Sequence, residues 1–227
     1  MNSSSMIIYR KFNFQNAPSW MNIVNRSTLG GYSWKVIGYM DVLFEWKALV
    51  GWIDSGSIIY DGVDVEFDYA KKEGMYAPPS SGDVKRWTHP ATIEFIEKTG
   101  MVKKVNQTDQ NCSAGHIFLD FTNKTAVEKI FKPLIQCAYT MKCITPKGSD
   151  RSNHRQDQAV ITILLHNAHL VYSAADQYSH EAKFRQERLD KEEIIALTKQ
   201  LKKEIESRNR IVIYRVCYVK IISHNAY

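Results

Sequence analysis

Two stretches of the sequence carry residue types that handle phosphate and activate hydroxyl groups. In the first, Trp52–Ser57, an apolar run ends in Asp54 and is followed by small residues that include Gly56. A carboxylate in this position can hold a divalent cation against a diphosphate, because hard cations prefer oxygen ligands and small neighbours let phosphate come close. Acid-Ser-Gly is also a common turn sequence, so a structural role is an open alternative.

The second stretch, Ser149–Gln158, is polar or charged at every position and directly precedes an apolar segment. Polar groups at the start of a buried helix are costly unless they are paired or bind a ligand, and a helix N-terminus favours anions. We therefore assign His154 and Arg155 to phosphate or hydroxyl contacts. Arg151 either joins them or pairs with an acid, and Asp157 either acts on a ligand or only caps the helix.

A third candidate lies where small residues, Ser113 to Gly115, lead into a predicted strand. Small residues there permit close approach of a ligand, although tight packing would select the same residues. We interpret the isolated histidines His89 and His116 as structural. The sequence has no GxSxG, Walker A or GxGxxG motif, so hydrolase, P-loop and dinucleotide-binding functions lack their signatures.

The elements that must position these residues alternate between strands and helices, which predicts an α/β fold with a mixed sheet flanked by helices. The apolar run 48–54 is typical of a buried parallel strand, whose carboxyl end would point Asp54 into a ligand crevice. Further predicted strands span 6–12, 57–60 and 115–121, predicted helices span 34–46, 63–72, 90–97, 123–137 and 155–166, and 78–82 is a predicted loop.

The end of the sequence has a different pattern. Residues 179–208 are dense in charge, with apolar residues spaced as in an amphipathic helix. Residues 211–222 are β-branched and aromatic, which predicts a strand. We interpret 1–178 as one domain, with 179–227 packed on it.

Composition narrows the classes of partner. The chain has 227 residues, 44% of them hydrophobic, and a formal charge of +6, an excess that suits a phosphorylated small molecule but falls short of a nucleic-acid-binding arm. No apolar stretch approaches the roughly 18 to 20 residues needed to cross a bilayer. We expect no nucleic-acid partner and no membrane span within this chain.

Asparagine and cysteine usage bears on the compartment. Glycosylation sequons exceed the roughly 1.5 expected by chance, although coincidence in an Asn-rich chain is an alternative. Cys137 and Cys143 lie close enough in sequence to close a short disulfide loop. The sequons predict a glycoprotein of the secretory lumen, whereas four cysteines fit either compartment. The sequons begin at Asn2, Asn25, Asn106, Asn111 and Asn123.

Taken in order, these motifs resemble a eukaryotic family described as nucleotide-diphospho-sugar transferase-like, which carries a domain of unknown function and is related to GT-A fold glycosyltransferases. The resemblance covers roughly residues 6 to 167, and its most specific part is the His-Arg-Gln-Asp-Gln segment, 154–158. The matching pieces are Tyr9-Arg10-Lys11-Phe12-Asn13-Phe14, Tyr32-Ser33-Trp34-Lys35, Trp52-Ile53-Asp54-Ser55, Thr88-His89-Pro90 and the stretch 137–158.

The resemblance implies a GT-A-like fold and transfer of a sugar from a nucleoside diphosphate donor to a hydroxyl of a glycan or protein acceptor, in the Golgi or another secretory lumen. It also implies manganese or magnesium held at Asp54, as in an Asp-x-Asp motif. Asp54 and Asp157 are the catalytic candidates, and Asp157 either orients a hydroxyl or serves as the base. The predicted donor-binding residues are Gly56, Ser57, Gly115, Arg151, His154, Arg155 and Gln158.

The sequence departs from the family pattern in two places. Gly56 stands where the Asp-x-Asp motif has its second acid, and a single predicted strand precedes Tyr32, where GT-A folds begin with a strand-helix-strand unit that holds the nucleotide base. We therefore expect a chain truncated at this unit, with any membrane anchor upstream of it. A non-catalytic GT-A-like binding or assembly module is the alternative function.

Overall fold

The computed structural model of the protein combines helices with antiparallel strands in an α/β arrangement. Among the described residues, no helix is long and apolar enough to cross a membrane. The described residues are 12–23, 29–54, 57–59, 63–170, 184–186 and 217–222, and at 57–59, 184–186 and 217–222 only the backbone is described.

The elements follow one another with short connections. The helices are α1 (Ser33–Trp46), α2 (Val63–Glu73), α3 (Val84–Trp87), α4 (Pro90–Lys98), α5 (Lys124–Ala126), α6 (Lys132–Ala138), α7 (Met141–Ile144) and α8 (Asp157–Asn167), with a π-helical turn, Val127–Phe131, joining α5 to α6. The strands are β1 (Leu49–Asp54), β2 (Ser57–Ile59), β3 (Met75–Tyr76), β4 (Pro79–Asp83), β5 (Gln110–Cys112), β6 (His116–Asp120), β7 (Phe184–Gln186) and β8 (Cys217–Ile222).

The central sheet has the strand order β3-β6-β1-β8, and all of its pairings are antiparallel. Val50 lies opposite Leu119 on β6 and opposite Ile221 on β8. The prediction that residues 48–54 form a parallel strand is therefore wrong, and the described strands include no mixed sheet. A continuous apolar run indicates that both faces of a strand are buried, but it does not indicate the direction of the neighbouring strands. An antiparallel sheet between helices also buries both faces.

The two faces of β1 are buried by different helices. Gly51 lies against Phe118 and Phe67, and a Cβ at this glycine would come within 2.9 Å of both rings, so the glycine lets α2 pack closely on the sheet. Trp52, on the opposite face, packs edge-on against Tyr39 of α1 with ring centroids 5.4 Å apart. Asp54 shares the Trp52 face, because side chains alternate along a strand.

The five helices predicted before residue 170 agree with α1, α2, α4, α5 to α6 and α8, whereas the short helices α3 and α7 were not predicted. Asn123 caps α5 by accepting from the Ala126 N–H, and His89 caps α4 by accepting from the Ala91 N–H, with Pro90 in the first turn. The apolar segment after Asp157 forms the buried helix α8. The predicted disulfide joins Cys137 of α6 to Cys143 of α7.

Two predictions about secondary structure are wrong. Residues 79–83, which include most of the predicted loop 78–82, form β4, which pairs with β5 through an irregular register. Backbone pairing with β5 overrides the turn propensity of Pro, Ser and Gly. Residues 184–186, within the predicted amphipathic helix, form β7 paired with β2. The rest of that helix, the predicted boundary at 178 and nearly all of the predicted strand 6–12 lie outside the described residues.

Candidate functional site

Strand β1 delivers Asp54 to the edge of the core. Its backbone N–H donates to the carbonyl oxygen of Gly115 at 2.7 Å, and the Trp52 indole Nε1–H donates to Asp54 Oδ1 at 2.8 Å. The Asp54 side chain keeps 38% of its surface exposed. Asp54 is thus a fixed carboxylate that a ligand can reach.

The buried Lys35 of α1 joins the two predicted catalytic acids. Its Nζ lies 3.0 Å from Asp54 Oδ1 and 3.3 Å from Asp157 Oδ2, and it donates to the carbonyl oxygen of Ala114 at 2.6 Å. The contact with Asp157 is ionic, because Asp157 Oδ2 has no hydrogen-bond partner among the described residues. The structure therefore brings Asp54 and Asp157, which are far apart in sequence, to one cation.

Asp157 lies in the first turn of α8 and is 4% exposed. A carboxylate at this position interacts favourably with the helix dipole, and the ion pair with Lys35 further offsets its burial. Asp157 is less accessible than Asp54, and its buried side chain forms an ion pair with Lys35. This geometry fits a positioning residue better than a group that touches substrate.

The charges of this cluster depend on one another. Burial alone would lower the pKa of Lys35, but Asp157 and Asp54 outweigh burial and raise it, so Lys35 stays an ammonium. Burial raises the pKa of Asp157, opposed by Lys35 and assisted by Asp54. Burial, with both carboxylates, raises the pKa of Tyr39 well above its usual value.

Tyr39 lies one helical turn after Lys35 and is fully buried. Its hydroxyl has no hydrogen-bond partner among the described residues. An unsatisfied buried hydroxyl costs on the order of 1–3 kcal/mol. No sequence pattern singles out Tyr39, whereas a lysine within the apolar start of α1 is a signal that could have pointed to Lys35.

Three arginines surround two aromatic rings beside this cluster. The guanidinium carbon of Arg155 lies 4.0 Å from the Trp87 ring centroid and that of Arg86 lies 4.8 Å from it. Arg151 Nη1 donates to the Tyr32 hydroxyl at 2.6 Å. No carboxylate of the described residues lies within ion-pair distance of these three guanidinium groups. The predicted alternative that Arg151 pairs with an acid finds no partner in the described part of the chain.

Strained backbone places the residues at both ends of this cluster. Tyr32 ends a turn, Leu29–Tyr32, in which every residue has a left-handed φ, and at Gly30 a Cβ would lie 1.9 Å from the Met21 carbonyl oxygen. Gln156, between Arg155 and Asp157, has a φ of 44° and is buried. For residues other than glycine, such as Tyr32 and Gln156, these conformations cost of the order of 1–3 kcal/mol each, and they cluster at functional sites.

His154 lies fully buried beneath the arginines and contacts protein groups through both ring nitrogens. Its Nδ1 accepts from the His89 N–H at 3.2 Å, and its Nε2 lies 3.0 Å from the carbonyl oxygen of Ile144. The Nε2-protonated neutral tautomer satisfies both contacts. Burial lowers the pKa of His154 to about 4, which keeps the ring neutral. The structure therefore places His154 under the site, as a bridge between α4 and α7, rather than at its surface.

The remaining predicted donor-binding residues fall in different places. Gly115 adjoins Asp54, and a Cβ there would lie 3.6 Å from Asp54 Oδ2. Gln158 lies in the first turn of α8, where its N–H donates to the Arg155 carbonyl oxygen. Gly56 lies outside the described residues, and Ser57 is described only as backbone in β2.

The described residues do not fit a dedicated site for manganese or magnesium. Asp54 is the accessible carboxylate, and the Lys35 ammonium lies 3.0 Å from it, where it would repel a second cation. The metal at Asp54 stays a prediction from the sequence.

Comparisons of the chain with protein-family models, with curated proteins and with solved structures found no match. The resemblance to nucleotide-diphospho-sugar transferase-like proteins therefore stays a prediction made from the sequence motifs.

Proposed function

We propose that this protein transfers a sugar from a nucleoside diphosphate donor to a hydroxyl of a glycan or protein acceptor, in a domain related to the GT-A fold. One observation carries the proposal: Asp54 and Asp157, candidates from two separate motifs, meet at Lys35 beside the arginine-rich start of α8. The GT-A relationship depends on these motifs, because the described strand pairings are antiparallel.

The difference in exposure between the two carboxylates assigns their roles. Asp54, with its reachable oxygen, accepts the proton of the acceptor hydroxyl as that oxygen bonds to the anomeric carbon of the sugar. The bond from the anomeric carbon to the diphosphate oxygen breaks, and the diphosphate leaves with the electron pair. Lys35 is ion-paired with Asp54, and Asp157 holds Lys35 in place.

The arginines act on the leaving group. Negative charge grows on the diphosphate as the bond to the sugar breaks, and preformed positive groups stabilise charge that develops in the transition state. Arg151 and Arg155 are fixed before substrate binds, by contact with Tyr32 and Trp87 respectively. Little reorganisation is then needed during the reaction.

The test is turnover of sugar nucleotides by the protein and by Asp54→Asn. Release of uridine or guanosine diphosphate from a panel of sugar donors is measured with candidate glycan acceptors, in chelator and with manganese. We expect Asp54→Asn to lower turnover by roughly 100-fold or more, as loss of a general base does. Asp68→Asn, an exposed carboxylate on α2, is the matched control and should leave turnover unchanged. Equal rates for Asp54→Asn and the unaltered protein would contradict the role of Asp54.

A non-catalytic binding or assembly module is the second candidate, and the Lys35 contacts favour it specifically. Both carboxylates already have a cationic partner, as in a site that keeps its charges balanced without reacting. Stabilisation by nucleoside diphosphates without release of sugar from any donor would favour this function over transfer.

We also propose that the protein works in the Golgi or another secretory lumen. The Cys137–Cys143 disulfide supports this, because disulfides persist in oxidising compartments. Asn106 of the sequon Asn106-Gln107-Thr108 is exposed and suits attachment of a glycan, whereas Asn111 is buried in β5.

A further inference from the structure

We infer that Arg86, Arg151 and Arg155 form a site for a diphosphate-type anion that binds without a divalent cation. The identification of this anion as the leaving group of a sugar nucleotide rests on the proposed function. The binding of pyrophosphate itself does not.

The three guanidinium groups act on one another electrostatically. Arg155 is half-buried, and burial followed by the nearby charges of Arg151 and Arg86 lowers its pKa from the usual value. Asp150 is the acid next to Arg151 in sequence, but its Oδ1 accepts from the Ser152 backbone N–H and hydroxyl instead. Asp83 is three residues before Arg86 and accepts from the Arg86 backbone N–H as the cap of α3. Neither carboxylate forms an ion pair with a guanidinium group, and three guanidinium groups outnumber the two carboxylates, so the cluster is positive.

Aromatic rings hold the guanidinium groups without using most of their donors. A guanidinium stacked on an indole contacts the ring through its face, so the in-plane N–H groups stay directed outward. The Arg155 N–H of the backbone donates to the Trp87 carbonyl oxygen at 3.0 Å, which ties the two residues together. The buried Nε of Arg155 has no partner among the described residues. A planar fork with unused donors is the geometry that recognises phosphate oxygens.

The surroundings add to the positive potential. The cluster adjoins the N-terminus of α8, an 11-residue helix whose dipole favours an anion at this end. Tyr32, which directly precedes α1, contacts Arg151, and Lys35 in the first turn of α1 contacts Asp157, so the start of α1 links the arginines to the carboxylate cluster. An anion held by the arginines would thus lie next to the Lys35 and Asp54 pair.

The same charges explain why no divalent cation is required. Three guanidinium groups supply more positive charge than a single Mg²⁺ or Mn²⁺, and Lys35 supplies a further charge at Asp54. A metal ion entering beside them would meet repulsion and would find Asp54 as its accessible carboxylate. Charge-assisted hydrogen bonds from arginine are therefore expected to replace the metal bridge to the diphosphate.

The test is calorimetric titration of the whole chain with inorganic pyrophosphate and with uridine diphosphate, in chelator and then with manganese. We expect pyrophosphate to bind in chelator, and Arg86→Met, Arg151→Met and Arg155→Met each to weaken it about ten-fold or more. Arg155→Lys should also weaken it, because a lysine keeps the charge but loses the fork. Lys132→Met, on the surface beside Glu128, should bind as the unaltered protein does.

Two outcomes would overturn the inference: binding only when manganese is present, or no pyrophosphate binding at millimolar concentration by protein that unfolds cooperatively. Arg86 is exposed, so Arg86→Met keeps the test valid if Arg155→Met impairs folding. Neither outcome decides the proposed function, which turnover of sugar nucleotides tests separately. Pyrophosphate binding without any turnover would support the anion site and refute sugar transfer.

Discussion

Replacing Lys35 by Met removes the cation that Asp157 depends on, and we expect a loss of about 3–5 kcal/mol in the free energy of unfolding at pH 7. Asp157 is 4% exposed, so without Lys35 its charge is left buried and uncompensated. Asp54 contributes less to the loss, because its side chain is 38% exposed and can be hydrated. Met matches Lys in length and adds no cavity comparable to that of Ala.

A double-mutant cycle separates the ion pair from other effects of the substitution. Asp157→Asn leaves Lys35 paired with Asp54 and should cost about 1–3 kcal/mol, the cost of a lost buried partner. In the variant that combines both substitutions no charge is left buried at this position. We therefore expect the double variant to be more stable than the sum of the single losses implies, by about 2 kcal/mol.

Urea unfolding at pH 7 and at pH 5 measures these quantities. Burial raises the pKa of Asp157 and loss of Lys35 would raise it further, so Asp157 should bind a proton in Lys35→Met as the pH falls, and the deficit of this variant should shrink. Lys132→Met is the surface control and should stay within about 0.5 kcal/mol of the unaltered protein. Additive single losses, or a Lys35→Met penalty below about 1 kcal/mol, would refute the ion-pair explanation.

Three further predictions concern the residues around the site. Burial lowers the pKa of His154 to about 4 from a usual 6.5, so between these pH values the unfolded chain binds a proton that the folded protein does not. The free energy of unfolding should therefore fall by about 3 kcal/mol as the pH drops from 6.5 through 4. Urea unfolding measured against pH should show a smaller fall in His154→Asn. Reduction of Cys137–Cys143 should lower the free energy of unfolding by about 2 kcal/mol, the chain-entropy value for so short a loop, and Cys137→Ala/Cys143→Ala should then be insensitive to reductant. When the chain is expressed through a secretory pathway, glycosidase treatment should shift its mass, Asn106→Gln should remove part of that shift and Asn111→Gln should not, whereas a glycan mapped to Asn111 would contradict the burial argument.

Local patterns in the sequence predicted most of the elements, and failed where direction or pairing depends on distant residues. Capping residues such as Asn123 and His89 mark helix starts through contacts within a few residues, so the sequence contains the whole signal. The direction of β1 depends on β6 and β8, which no local pattern encodes. The same holds for β4, whose turn-like residues are strand because β5 pairs with them.

The candidate site, like the fold, could be predicted where local patterns mark a residue and not where the contact depends on distant residues. Asp54 was predicted because it is an acid at the end of an apolar strand, and Asp157 because it lies in a dense polar stretch before an apolar helix. A charge next to a buried element is costly unless it has a partner or a ligand. Their common partner Lys35 was not predicted, since the contact depends on how α1 packs across the sheet. His154 was assigned to a ligand because polarity shows in a sequence, whereas its burial beneath the loop does not.

The polar residues at the start of α8 form two sets, which differ in whether their side chains face the protein interior or the surface. The inward set, His154 and Asp157, satisfies buried partners on α4, α7 and α1 and so fixes where α8 begins. The outward set, Arg151 and Arg155, lies on aromatic rings with donors to spare. Because His154 adjoins Arg155 in sequence, and Gln156 next to them holds a left-handed φ, a change at His154 should also displace Arg155. We therefore expect His154→Asn to lose pyrophosphate binding even though all three arginines are still present.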